Sequence, residues 1–103
     1  MQFLYRLTPV RLEMVTVGPT PQEQAIVREH FTHLEALTEQ GVMLLVGRTQ
    51  GNSPRTFGIA IFQAESEEQA QAIMNDDPAV RKGVMHAELF SFRIALAGNV
   101  QID

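Results

Sequence analysis

Two helix starts, spelled in the same four-residue grammar, constrain this chain more than any other feature. Thr20-Pro21-Gln22-Glu23 and Ser66-Glu67-Glu68-Gln69 each put a hydroxyl at an N-cap and a Glu or Gln three positions later. That pattern satisfies two orphan backbone N–H groups at once, and Pro21 adds a φ already set for a first helical position. The first signal opens an amphipathic helix over Pro21 to Gln40, ended by Gly41. The second opens a shorter helix whose core face is Ala70, Ile73 and Met74. Asp76-Asp77-Pro78 stops it, because the residue before a proline is pushed out of the helical region. A brief helical turn then runs toward Gly83.

The apolar runs around these helices read as strands: Phe3 to Leu7, Val42 to Gly47, Thr56 to Ala64 and Ala87 to Leu96. Gln50-Gly51-Asn52-Ser53-Pro54 is turn chemistry and makes a hairpin of the middle two. The order βαββαβ, within a single domain over residues 1–103, predicts an α+β, ferredoxin-like antiparallel sheet with two helices on one face. Thr8 to Pro19 is a long connection of the kind used as a lid or binding loop. Within it, Met14-Val15-Thr16-Val17 reads as a short extra strand or a hairpin arm.

The strands are apolar on both alternating sets. Val42, Leu44 and Val46 alternate with Met43 and Leu45, and Ile59 and Ile61 with Ala60 and Phe62. Two helices cover only one face, so the other calls for a cover. A second copy of the chain, sheet against sheet, is the simplest cover, and a loop folded over the face is the alternative.

Composition narrows the chemistry. The 103 residues carry a formal net charge of -4, which provides no electrostatic footprint for nucleic acid or an anionic membrane. No apolar run reaches transmembrane length, and the first residues lack a signal peptide's pattern, so the expectation is a soluble cytoplasmic domain. Without cysteine, disulfides, thiolate catalysis and cysteine-ligated zinc are out of reach. No phosphate-binding glycine loop or nucleophile elbow is present.

His30 stands where the stripe of Ile26, Val27, Leu34 and Leu37 calls for an aliphatic residue. An imidazole there needs a partner to offset its desolvation. It is either a core histidine bonded to a backbone carbonyl or half of a functional pair. His33 follows on the edge of the same face, but no third ligand stands at a fixed offset, so no metal site is expected. Asp77 either caps the turn beginning at Pro78 or reaches the first helix from the end of the second. Arg6 and Arg93 are expected on the face that alternates with Phe3, Tyr5, Phe90 and Phe92. There they would hold an anionic substrate group or pair with Glu88 or Glu65 across an interface. Arg48, after Gly47, ends a strand where a cavity mouth could lie.

The run His30-Phe31-Thr32-His33-Leu34-Glu35-Ala36-Leu37, then Gly41, then Leu45-Val46-Gly47-Arg48, resembles the YciI-like, YCII-related domain family. Asp77-Pro78-Ala79-Val80-Arg81-Lys82-Gly83-Val84 is similar to that family's Asp-Pro segment, and Ala87 to Arg93 fits some members. The resemblance implies a dimeric α+β barrel and identifies His30 and Asp77 with the family's His-Asp pair, proposed as an active site. Members of known activity act on small molecules, including dehydrochlorination of chloroaromatic compounds. Gly47-Arg48 replaces the family's usual Gly-Pro, and the first loop is longer. The resulting expectation is acid–base chemistry without a cofactor, elimination or isomerisation. His30 and Asp77 would carry it, with Arg6, Arg48, Arg93 and Tyr5 as substrate-binding candidates. The alternative is a non-catalytic dimer that binds a small ligand or serves as an accessory domain, with a structural His-Asp hydrogen bond.

Overall fold

β1 (Gln2–Pro9) runs through the interior of a four-stranded antiparallel sheet, flanked by β3 (Gly58–Gln63) and β4 (Met85–Phe92), with β2 (Met43–Arg48) beyond β3. The computed structural model describes all 103 residues. The strand order β2-β3-β1-β4 is that of the ferredoxin-like fold, as the element order predicts. Two main helices, α2 (Pro21–Glu39) and α3 (Glu67–Asp76), lie on one face with two single-turn helices, α1 (Glu13–Thr16) and α4 (Pro78–Arg81).

Both helix starts form where the sequence puts them. Thr20 Oγ1 accepts from the Glu23 N–H at 3.1 Å, and Glu23 Oε1 accepts from the Thr20 N–H at 2.9 Å, completing a capping box. Ser66 likewise accepts from the Gln69 N–H, but the Gln69 side chain reaches one residue further back, to the Glu65 N–H at 2.6 Å. Gly41, with φ +79°, takes the left-handed conformation that stops α2 and turns the chain into β2.

The core sits between the sheet and its helices. Phe3, Tyr5 and Leu7 of β1 pack with Ala60 and Phe62 of β3, Met43, and Leu34, Ala70 and Met74 from the helices. The Tyr5 and Phe62 rings meet edge to face at 5.5 Å. Met14, Ile26, Ala79 and Val84 form a second, smaller cluster under α1.

Three expectations are corrected. Met14 to Val17 form neither strand nor hairpin arm: Glu13–Thr16 is a helical turn with Met14 buried. The β-branched residues there cannot pair back onto β1 as a hairpin arm, since β1 is already paired on both edges. Arg11 ties the segment to the start of α2 instead, donating to both Glu23 carboxylate oxygens at 2.6 and 2.9 Å and to the Gly18 carbonyl at 3.2 Å. Those Arg11 hydrogen bonds, then those from Thr20, pull the Glu23 carboxyl down to about 2.

β2 does not alternate regularly either. Met43 pairs with Phe62 but Leu45 with Ile61 and Val46 with Ala60, so a bulge at Leu44 shifts the parity. Met43 and Val46 therefore share the helix side, while Leu45 faces away with Ile61.

Finally, Phe90 and Phe92 do not share a face with Phe3 and Tyr5. Phe90 lies opposite Leu4, and Glu88 opposite Arg6; directly opposed residues point the same way. Phe90 and Phe92 thus stand with Arg6 on the open face, among Leu4, Leu45, Ile59 and Ile61. Arg93 follows the last residue of β4 and is exposed.

Candidate active site

α2 carries His30 to the sheet, the α3–α4 junction carries Asp77, and β1 presents Tyr5 beneath them. Asp77 Oδ1 lies 2.6 Å from His30 Nδ1, across a separation of 47 residues. The Tyr5 hydroxyl donates to Oδ2 at 2.7 Å, and the Ala79 N–H donates to Oδ1 at 3.0 Å. Both sequence readings of Asp77 hold together: its side chain caps α4 through Ala79 and also meets the first long helix. Pro78 makes this possible, because Asp77 sits at φ -62°, ψ 124°, extended and out of the helix that precedes it.

Asp77 is 0 % exposed and the His30 side chain 14 %. Burial alone would push the Asp77 carboxyl up. The His30 hydrogen bond and charge, joined by Tyr5 and the Ala79 N–H, outweigh it and hold the group below the usual carboxylate range. An ionised carboxylate only accepts, so His30 Nδ1 must carry a proton. In the neutral ring that leaves the lone pair on Nε2, which has no protein partner. Burial first, and then the neighbouring Asp77 charge and hydrogen bond, push the Tyr5 hydroxyl far upward, so it stays a fixed donor.

His30 borders a cavity of about 310 Å³ whose wall is mostly apolar, including Leu7, Val27, Phe31, Val46 and Met85. The β2 bulge is what turns Val46 toward it. Arg48 stands at this cavity, its Nε and Nη2 donating to the Thr49 and Gly51 carbonyls. Arg48 also borders a second cavity of about 310 Å³ beneath α1, and Val15, Val27 and Met85 line both.

The other candidates separate. Tyr5 is sealed under Asp77 rather than at the cavity. Arg6 lies on the open sheet face, its guanidinium 5.0 Å from the Phe57 ring centre, and Arg93 lies past the end of β4. His33 borders a surface groove with Arg28 and Arg81, apart from the His30 cavity. Thr56 was not singled out by sequence: it lines the His30 cavity, and its buried hydroxyl has no protein partner. Phe31 was missed too, although an exposed aromatic next to the stripe histidine was a legible signal.

No helix is long and apolar enough to cross a membrane. No curated protein matches the sequence. Among solved structures, the chain is similar to a 5-chloro-2-hydroxyhydroquinone dehydrochlorinase from Burkholderia phenoliruptrix, in complex with 2,5-dihydroxybenzoquinone. The TM-score is 0.62 at 19% identity, over 90% of this chain and 94% of that one, a likeness of fold. The model of the YCII-related domain matches residues 4–93, which include most of β1, both long helices, His30 and Asp77. With a match over that much of its length, this chain belongs to the YCII-related domain family.

Proposed function

We propose that this protein is a small-molecule enzyme in which His30 Nε2 is the general base of an elimination or isomerisation. The observation that carries the reading is the imidazole's two-sidedness: Nδ1 is tied to a buried, ionised Asp77, and the ring borders a mostly apolar cavity. A base so held can take a proton from a phenolic hydroxyl or an acidic carbon. The electron pair released would expel a leaving group or shift a double bond, and the imidazolium formed would be stabilised by Asp77. Asp77 acts as a positioning residue, and Tyr5 and the Ala79 N–H hold it in turn. Arg48 would receive an anionic group of the substrate at the cavity edge.

The dehydrochlorinase of similar fold suggests hydroxylated rings as first substrates to test, and a cavity of about 310 Å³ is the size such rings need. We further propose that two copies associate through their open sheet faces, burying Leu4, Leu45, Ile59, Ile61, Phe90 and Phe92.

The test is turnover of chlorinated hydroxyhydroquinones, followed by chloride release, together with binding of 2,5-dihydroxybenzoquinone. His30→Ala should abolish turnover while the fold is kept, and Asp77→Asn should cost less. Full turnover in His30→Ala would refute the assignment. A second reading has its own support, since the sealed Asp77 network joins α2, α4 and β1 whatever the chemistry. If the pair is structural only, His30→Ala lowers thermal stability and leaves ligand affinity unchanged.

A further inference from the structure

The apolar stripe of the open sheet face does not end with β4. Phe90 and Phe92 are followed at the same two-residue spacing by Ile94, Leu96, Gly98, Val100 and Ile102. The other set, Ser91, Arg93, Ala95, Ala97, Asn99, Gln101 and Asp103, is small or polar. Alternation of this kind is the signature of a half-buried strand, yet residues 93–103 have no regular structure. Leu96 is 94 % exposed, Val100 71 % and Ile102 96 %. Backbone contact is equally sparse: the segment is held by one hydrogen bond, from the Ile94 N–H to Gln2 Oε1 at 2.9 Å. The family match stops at residue 93, so this segment lies beyond the matched residues.

We infer that residues 94–102 are an arm that lies as an extended strand on a second copy of this chain. The inference rests on the proposed association through open sheet faces and adds a second contact to it. Three observations select that occupant. The arm continues the apolar alternation of Phe90 and Phe92 in sequence, so once extended it offers its apolar side to a body seated on the open face. That face is self-complementary in charge, carrying Arg6 and Glu88 opposite one another, as a two-fold contact between copies requires. Area is the third. A sheet face of four short strands offers a footprint of only about 400 Å², against about 800 Å² per partner in a stable interface. Nine extended residues reach about 30 Å, comparable with the 28 Å middle dimension of the protomer, and so can supply much of the difference. The arm holds no charge between Arg93 and Asp103, so it offers no electrostatic grip on nucleic acid or a charged membrane.

The experiment uses the full chain, in a sedimentation dilution series combined with amide hydrogen exchange. Leu96→Glu and Val100→Glu change the apolar set; Asn99→Glu and Gln101→Glu, on the polar set, are the controls. All four side chains face water in the protomer, so its fold is left intact. The apolar-set variants should each weaken the dimer at least about tenfold and the controls little, and the arm's amides should be protected only in the dimer. A dimer indifferent to Leu96→Glu, with arm amides exchanging freely, overturns the arm and leaves the sheet-faced dimer standing. A wild-type chain that stays monomeric overturns both, and protection of the arm in the dilute monomer overturns the arm.

Discussion

Asp77 accepts from three elements at once, and its value to the molecule depends on its being ionised. Its folded pKa lies below the ordinary carboxylate value of about 3.9. The stabilisation it contributes is therefore complete above that value and lost as pH falls from there through the lower, folded value. Urea unfolding between pH 6 and 2 should show stability falling on this acid limb. Asp77→Asn should flatten the limb while leaving the share due to Glu23, whose carboxyl is lowered to about 2. Tyr5→Phe removes one donor to a charged acceptor and should cost about 1.5–3 kcal/mol. The variant should lose only a few-fold in kcat, because His30 keeps its own bond to Asp77. Asp77→Asn should lose about 10²–10⁴-fold, because an amide no longer obliges Nδ1 to carry the proton. Equal kinetic losses in the two variants would contradict this ordering.

At the scale of elements, the helix starts were legible and the strand faces were not. A capping box is a local code, so Thr20 and Ser66 announce their helices without help from the rest of the fold. Thr20→Ala should cost about 1 kcal/mol in urea unfolding, mostly by fraying the first turn of α2. Strand faces are read from alternation, and alternation is silent when both sets are apolar. Leu44 and Leu45 gave no sign of the bulge, and Leu89 beside Phe90 gave none of which one faces the helices. The segment around Met14 misled for a different reason, because its β-branched residues suggested a strand although no free edge of β1 was left to receive one. What holds that segment is Arg11, so Arg11→Ala should speed amide exchange over residues 12–18 while β1 and β4 remain protected. The His30–Asp77 contact spans 47 residues and follows from no spacing rule; the fold only allowed Asp77 to approach the first helix, and the family resemblance named His30 as its partner. Tyr5 was expected at the substrate and instead supports the pair from below.

At the scale of the whole molecule, the proposed chemistry lies on one side of the sheet and the proposed self-association on the other. Helices, with Asp77 and His30, cover one face; the opposite face carries Leu4, Ile59 and Ile61, half-buried, and Phe90 and Phe92, exposed. Ile61→Glu should thus abolish self-association, seen as a monomer by sedimentation, with the near-ultraviolet signal of the Tyr5 core unchanged. The His30 cavity draws on α2, β2, β3 and the turn before it, so ligand binding should also raise the unfolding temperature of the entire domain. The central claim, an imidazole fixed at Nδ1 and available to a ligand at Nε2, is tested most directly by long-range ¹⁵N–¹H NMR of the His30 ring. The spectrum is recorded with the ring neutral, before and after addition of 2,5-dihydroxybenzoquinone. The account predicts a proton on Nδ1, none on Nε2, and a ligand response confined to Nε2. A proton on Nε2, or a ring whose nitrogens ignore the ligand while the protein binds it elsewhere, would contradict it.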